Sequence, residues 1–113
     1  MKTGDLILAN LPQADGIRKL RPALILSFLP PFQDCLVCGV STQLHQAVSD
    51  FDEVIRREDK DFSTSGLLSA SVCRLGFVTT LPQRRIGGVL GTIDPSRLER
   101  LQNRLARHLT KTG

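Results

Sequence analysis

One stretch of this chain changes the spacing of its apolar residues, and that change limits what it can fold into. Over residues 94–109, Leu98, Leu101, Leu105 and Leu109 recur at helical intervals, whereas the apolar runs before them are short and bounded by breakers. The spacing predicts a C-terminal helix with a leucine stripe, N-capped by Asp94 and carrying Pro95 at its first position. Arg97, Arg100, Arg104 and Arg107 are expected to turn mostly away from the stripe, and the basic residues of the later turns suit the negative end of the helix dipole.

The short runs read as strands. Asp5–Asn10 is stopped by Leu11-Pro12, Pro22–Phe28 is closed by Pro30-Pro31, and Cys35–Thr42 follows. Glu53–Ile55, Leu67–Cys73 and Gly76–Thr80 come next, then a turn around Gly87-Gly88 leads into Val89 and Leu90. Between the first two strands, Leu11–Leu20 reads as a polar, mobile loop of the kind that covers a ligand. Arg56–Ser65 is polar enough for a loop or a helical turn. The expected fold is one mostly β domain over residues 1–113, its sheet or small barrel covered by the leucine stripe.

With 41% hydrophobic and 23% charged residues, the chain has the balance of a folded protein. No apolar run approaches the roughly 18 residues that span a bilayer, and no signal-peptide pattern follows the N-terminus, so a cytoplasmic protein without a membrane partner is expected. Three cysteines, an odd number, point to thiols in a reducing compartment. A net charge of +4 favours an anionic partner. The charge is segregated: residues 94–113 carry four arginines and a lysine against Asp94 and Glu99, whereas residues 50–61 carry six acids against three bases.

Catalytic residue types are scarce, so elimination is informative. Only His45 and His108 exist, and His108 lies on the predicted helix in a polar setting, which disfavours a two-histidine nuclease. Cys35-x-x-Cys38 lacks the second ligand pair of a zinc site, and alternate burial in an apolar strand explains it more simply; Cys73 sits in a similar run. The acids of residues 50–61 lie among Arg56, Arg57 and Lys60 and read as a solvated charged surface. Gly87-Gly88 and Gly91 have no following Lys-Ser/Thr and read as turn and bulge glycines. Two features remain: Arg21-Pro22, where a basic loop meets a strand, and the polar triplet Ser41-Thr42-Gln43 that ends one.

Through GDLILANLP (4–12), RPALILS (21–27), VSTQ (40–43), SGLLSASVCR (65–74) and IGGVLGTIDPSRLERL (86–101), the chain resembles the MazF/PemK family of toxins from type II toxin–antitoxin systems. The resemblance implies a small SH3-like β-barrel (MazF/PemK/CcdB-like) with a C-terminal helix, working as a homodimer. It implies a sequence-specific endoribonuclease, an mRNA interferase that needs no metal or other cofactor. Such an enzyme cuts single-stranded RNA to 2′,3′-cyclic phosphate and 5′-hydroxyl ends and is neutralised by a cognate, MazE-like antitoxin.

The family's catalytic arginine falls on Arg21. Its threonine falls on Ser41, a departure that keeps the hydroxyl and loses the methyl that restricts the rotamer. A one-residue slip would nominate Thr42, expected on the opposite sheet face. Arg18 and Lys19 are candidates for flanking phosphates, and Thr42, Gln43 and His45 for RNA contacts. The competing readings are a non-catalytic toxin fold that binds a protein target, as gyrase poisons do, and a degenerate binding module.

Overall fold

The computed structural model describes residues 1–12 and 16–111, the side chain of Pro12 excepted. Six strands form one antiparallel sheet: β1 (Asp5–Pro12), β2 (Arg18–Leu29), β3 (Asp34–Ser41), β4 (Glu53–Ile55), β5 (Ser71–Leu81) and β6 (Ile86–Thr92). Their order across the sheet is β4-β5-β3-β2-β1-β6. A short helix, α1 (Phe62–Ser65), follows β4, and the long helix α2 (Pro95–Leu109) follows β6. The expected mostly β fold with a C-terminal helix is what the chain adopts, as a curled half-barrel.

Strand alternation divides the core in two. Leu6, Leu24, Leu26, Cys38, Val40, Cys73 and Leu75 meet Leu101 of α2 on one face. Ile7, Ala9, Leu11, Ala23, Ile25, Cys35 and Val37 form a second cluster, with Phe28, Phe77 and Ile86 packed on it. The leucine stripe docks as expected up to its last member: Leu101 is fully buried, Leu98 and Leu105 pack against the core, and Leu109 is exposed. Asp94 caps α2 by accepting the Ser96 N–H at 3.1 Å. Contacts to the Ser96 hydroxyl and to Lys60 (3.2 Å) hold its carboxyl down at a pKa of about 2.

The edge strands β4 and β6 are bridged by α1 and the first turn of α2. Thr64 Oγ1 donates to Thr92 O at 3.1 Å, and the Asp94 N–H donates to Asp61 Oδ2 at 3.0 Å. Glycine permits this closure. A Cβ on Gly91 would stand 2.1 Å from Thr64 O, and one on Gly66, which ends α1 at φ +77°, would stand 2.2 Å from Leu90 O.

Several local expectations are corrected. The β1–β2 connection is shorter than Leu11–Leu20, because both strands extend into it and Pro12 is paired with Arg18; Gln13 to Asp15 lie outside the described residues. The strands expected at Leu67–Cys73 and Gly76–Thr80 are one strand, β5, starting at Ser71. Gly87 and Gly88 lie inside β6, where the β1–β6 register shifts; they accommodate a bulge rather than a turn.

The largest correction concerns charge. Arg97 is buried at 8% exposure, and all its donors are engaged. Nε and Nη2 bind Asp61 at 2.8 and 3.1 Å, Nη1 binds Glu53 at 3.0 Å and Val54 O at 2.9 Å, and Nη2 also reaches Asp59 at 3.1 Å. Arg100 and Arg104 close on Glu53 at 2.8 and 2.7 Å. Glu53, Asp59 and Asp61 therefore form with Arg97, Arg100 and Arg104 an ion network that fastens the helix to the sheet, where a solvated acidic surface and outward-facing arginines were expected; Asp50, Glu58 and Arg107 stay exposed. Burial pushes the Glu53 and Asp61 carboxyls up, but the guanidiniums outweigh it and hold both below their ordinary values.

Candidate functional site

The β2–β3 ladder ends at the pair Ala23–Gly39. Two residues further along the same register, Arg21 stands level with Ser41, and both continue the alternation that puts Ala23, Ile25, Gly39 and Val37 on one face. A cavity of about 390 Å³ opens there. Leu11, Arg21 and Pro22 come from β1 and β2; Gly39, Val40, Ser41 and Thr42 from the end of β3; Gln43 and Gln46 from the turn that follows; and Arg74 and Phe77 from β5.

The β5 contribution depends on an irregularity. Cys38 pairs with Val78 and its neighbour Gly39 with Arg74, so Leu75, Gly76 and Phe77 bulge from the ladder. Arg74 and Phe77 thereby flank Gly39 on one face. Phe77 lies so close that a Cβ on Gly39 would meet its ring at 3.3 Å. The bulge leaves the Leu75 N–H without a strand partner in a buried setting, and Asp52 supplies one. Asp52 Oδ1 accepts from Leu75 N at 2.9 Å while Oδ2 accepts from Val48 N at 2.8 Å. This buried carboxylate ties the segment after Gln46 to the bulge.

Among the described residues no carboxylate lines the cavity, which holds the two guanidiniums of Arg21 and Arg74. Neither makes a hydrogen bond or ion pair among the described residues, in contrast with Arg97. Ser41 Oγ accepts the Gln43 N–H at 3.1 Å, a Ser-turn that fixes the oxygen and leaves the hydroxyl proton free to donate. The contact supplies the rotamer restraint that the missing threonine methyl would otherwise give. Such a site can take an anion beside Arg21 and the hydroxyl donor, with Arg74 as a second cation on the same wall.

Of the residues singled out from sequence, Arg21, Ser41, Thr42 and Gln43 are brought together. Thr42 was expected on the opposite face, yet it lines the same cavity, because strand alternation stops at Ser41 where the turn begins. Arg18, Lys19 and His45 do not line the cavity. Arg18 is exposed, with Nη1 at 3.5 Å from Asn10 O; Lys19, two residues before Arg21, is exposed on the strand face that leads to it. His45 is exposed on a 3-10 turn, where its neighbour Gln46 reaches the cavity instead. His108 packs its ring against Phe51 at 5.3 Å.

Sequence reasoning missed Gln46, Arg74, Phe77 and Asp52. Gly76 inside an apolar run was the available signal for the bulge. The three cysteines are buried and unlinked; burial pushes Cys38 well up and Cys73 up to about 12, so neither is a thiolate at neutral pH. Among the described residues, no group of three or more His, Cys, Asp or Glu could hold a metal ion, and no helix is long and apolar enough to cross a membrane.

A family model described as PemK-like, MazF-like toxin of type II toxin–antitoxin system matches residues 2–109. No curated protein matches the chain. Among solved structures, an endoribonuclease in complex with its cognate antitoxin, from a mycobacterial species, is 17% identical with a TM-score of 0.70, covering 100% of this chain and 98% of that one. The Mycobacterium tuberculosis toxin MazF-mt6 is 20% identical with a TM-score of 0.69, covering 96% and 99%. Both share the fold.

Proposed function

We propose that this chain, which belongs to the PemK-like, MazF-like toxins of type II toxin–antitoxin systems, is an endoribonuclease that cuts single-stranded RNA in the cavity between Arg21 and Ser41. One observation carries the reading: among the described residues the cavity holds two guanidiniums without a partner and an oriented hydroxyl, and has no carboxylate in its lining. That is the electrostatic complement of a phosphodiester, and its cations would repel a metal ion.

In the proposed reaction the 2′-oxygen attacks its neighbouring phosphorus, the P–O5′ bond breaks, and the 2′-hydroxyl proton is balanced by protonation of the departing 5′-oxygen. The products are a 2′,3′-cyclic phosphate and a 5′-hydroxyl. Negative charge grows on the phosphoryl and leaving oxygens, and Arg21, always protonated, stabilises it, while the proton released by the 2′-hydroxyl reaches the leaving oxygen through water. Ser41 donates its hydroxyl to the phosphate. Lys19, on the approach to Arg21, and Arg18 hold flanking phosphates, while Thr42 and Gln43 contact the nucleotide in the cavity, with His45 beside them on the rim. No metal takes part. The acids that might have held one are spent on Arg97, Arg100 and Arg104.

The protein works in the cytoplasm as a homodimer, for which the exposed Ile17 and Leu20 on the β1–β2 hairpin supply apolar surface. A cognate antitoxin neutralises it, as the toxin–antitoxin family to which it belongs implies. The test is incubation of purified protein with long single-stranded RNA in EDTA, followed by mapping of the new 5′ ends. Removing one preorganised donor costs about 10²–10³-fold in rate, so Arg21→Ala and Ser41→Ala should each fall by that order. Undiminished cleavage by Arg21→Ala, or cleavage abolished by EDTA, would overturn the assignment.

A further inference from the structure

We propose that Phe77, Arg74 and Gln46 form a nucleobase subsite beside the scissile phosphate, and that the base it selects is guanine; the proposal rests on the RNA-cutting reading above. The bulge in β5 is the reason to look there. It turns Arg74 and Phe77 to the same side of Gly39. Gly39 lies two residues from Ser41 on the same face of β3, about 7 Å along the strand. A base attached to a nucleotide whose phosphate reaches Ser41 therefore falls over this wall.

Each element suits a base. Phe77 is backed by the Gly39 backbone, tightly enough that its ring cannot sink further, which makes it a firm stacking surface. With no Trp or Tyr in the chain, it is the aromatic ring that the cavity has. Arg74 is half-buried beside it and has no partner among the described residues, so its donor fork is unspent. A fork of donors with no acceptor matches an edge with two adjacent acceptors, as guanine offers at O6 and N7, and is mismatched to adenine, whose N6 is a donor. Gln46, which both donates and accepts, reaches the cavity from the facing turn. Asp52 bonds both the bulge and the segment after Gln46, so the two walls keep a fixed separation.

The experiment uses short RNAs with one cleavable linkage, varied at the flanking bases, and matched versions with 2′-deoxyribose at the attacking nucleotide to read binding alone. For wild type, one flanking position should prefer guanine, and 7-deazaguanine there should weaken both binding and cleavage. Arg74→Gln should lose about 5- to 150-fold of that preference while leaving preferences at other positions intact. Phe77→Leu should weaken binding of all sequences, by a similar factor, and Phe77→Trp should restore it.

An unchanged base preference in Arg74→Gln, indifference to 7-deazaguanine, or selection of another base at that position would each overturn the subsite. Failure of the parent reading looks different. Wild type would then bind the 2′-deoxy strands with guanine preference and cut none of the RNAs.

Discussion

Arg97→Met tests whether the buried ion network holds the C-terminal helix to the sheet. The substitution keeps the length and most of the volume of the side chain and removes five donor contacts. Glu53 retains Arg100 and Arg104, but Asp61, whose side chain is only 4% exposed, keeps one backbone N–H and loses both guanidinium bonds. Breaking one partner out of a buried pair costs about 3–5 kcal/mol, since the other charge stays buried. At roughly 2.1 cal/mol/K of unfolding entropy per residue, that lowers the Tm of a 113-residue chain by about 13–21 °C.

Thermal and urea unfolding followed by circular dichroism measure it. The sign of the pH dependence is fixed: Asp61 and Glu53 are held below their ordinary values of 3.8 and 4.5, so their stabilisation is complete above those values and is lost as pH falls below them. The gap between wild type and Arg97→Met should be widest near neutrality and should narrow below about pH 4. A Tm loss under about 4 °C, or a gap that widens in acid, would refute the network as a structural fastening. Below its Tm the variant should still cut RNA, because Arg97 does not line the cavity.

Two further outcomes follow from the site and the closure. Asp52→Asn sets an amide N–H₂ against either Leu75 N–H or Val48 N–H, a loss of about 1–3 kcal/mol, and should raise KM for RNA more than it lowers kcat; steady-state cleavage of a short RNA that changed only in Tm would argue against its role in positioning the walls. Gly91→Ala forces α1 away from β6 and should cost about 3 kcal/mol in urea unfolding, whereas Gly88→Ala, with open space around it, should be neutral.

What could be read from the sequence was what is decided locally. The cap at Asp94-Pro95, the leucine stripe as far as Leu105 and the close of β2 before Pro30-Pro31 each depend on a few adjacent residues, and each is found, whereas β1 runs on through Leu11-Pro12 because it pairs with Arg18 and Lys19. Arg97 was misjudged because its fate is tertiary: it lies four residues before Leu101, on the inward side of the helix, and the acids that receive it are about 40 residues away in the chain. The site was legible by half for the same reason. Arg21 and Ser41 lie on adjacent strands at breaks in polarity that the sequence displays, whereas Arg74 and Phe77 reach the cavity through a bulge that only Gly76 hinted at. Asp52 could not be identified without knowing which N–H the bulge would orphan.

The division of the arginines has a consequence for how the protein meets its surroundings. Arg97 and Arg104 of α2 are enclosed with their carboxylates, where dissolved ions hardly screen them, while Arg21 and Lys19 face water and feel the full ionic atmosphere. Ionic strength is then a control that reaches substrate capture and leaves the scaffold almost untouched. A cell that shifts its internal salt would retune how often such a protein engages RNA without altering how much of it stays folded.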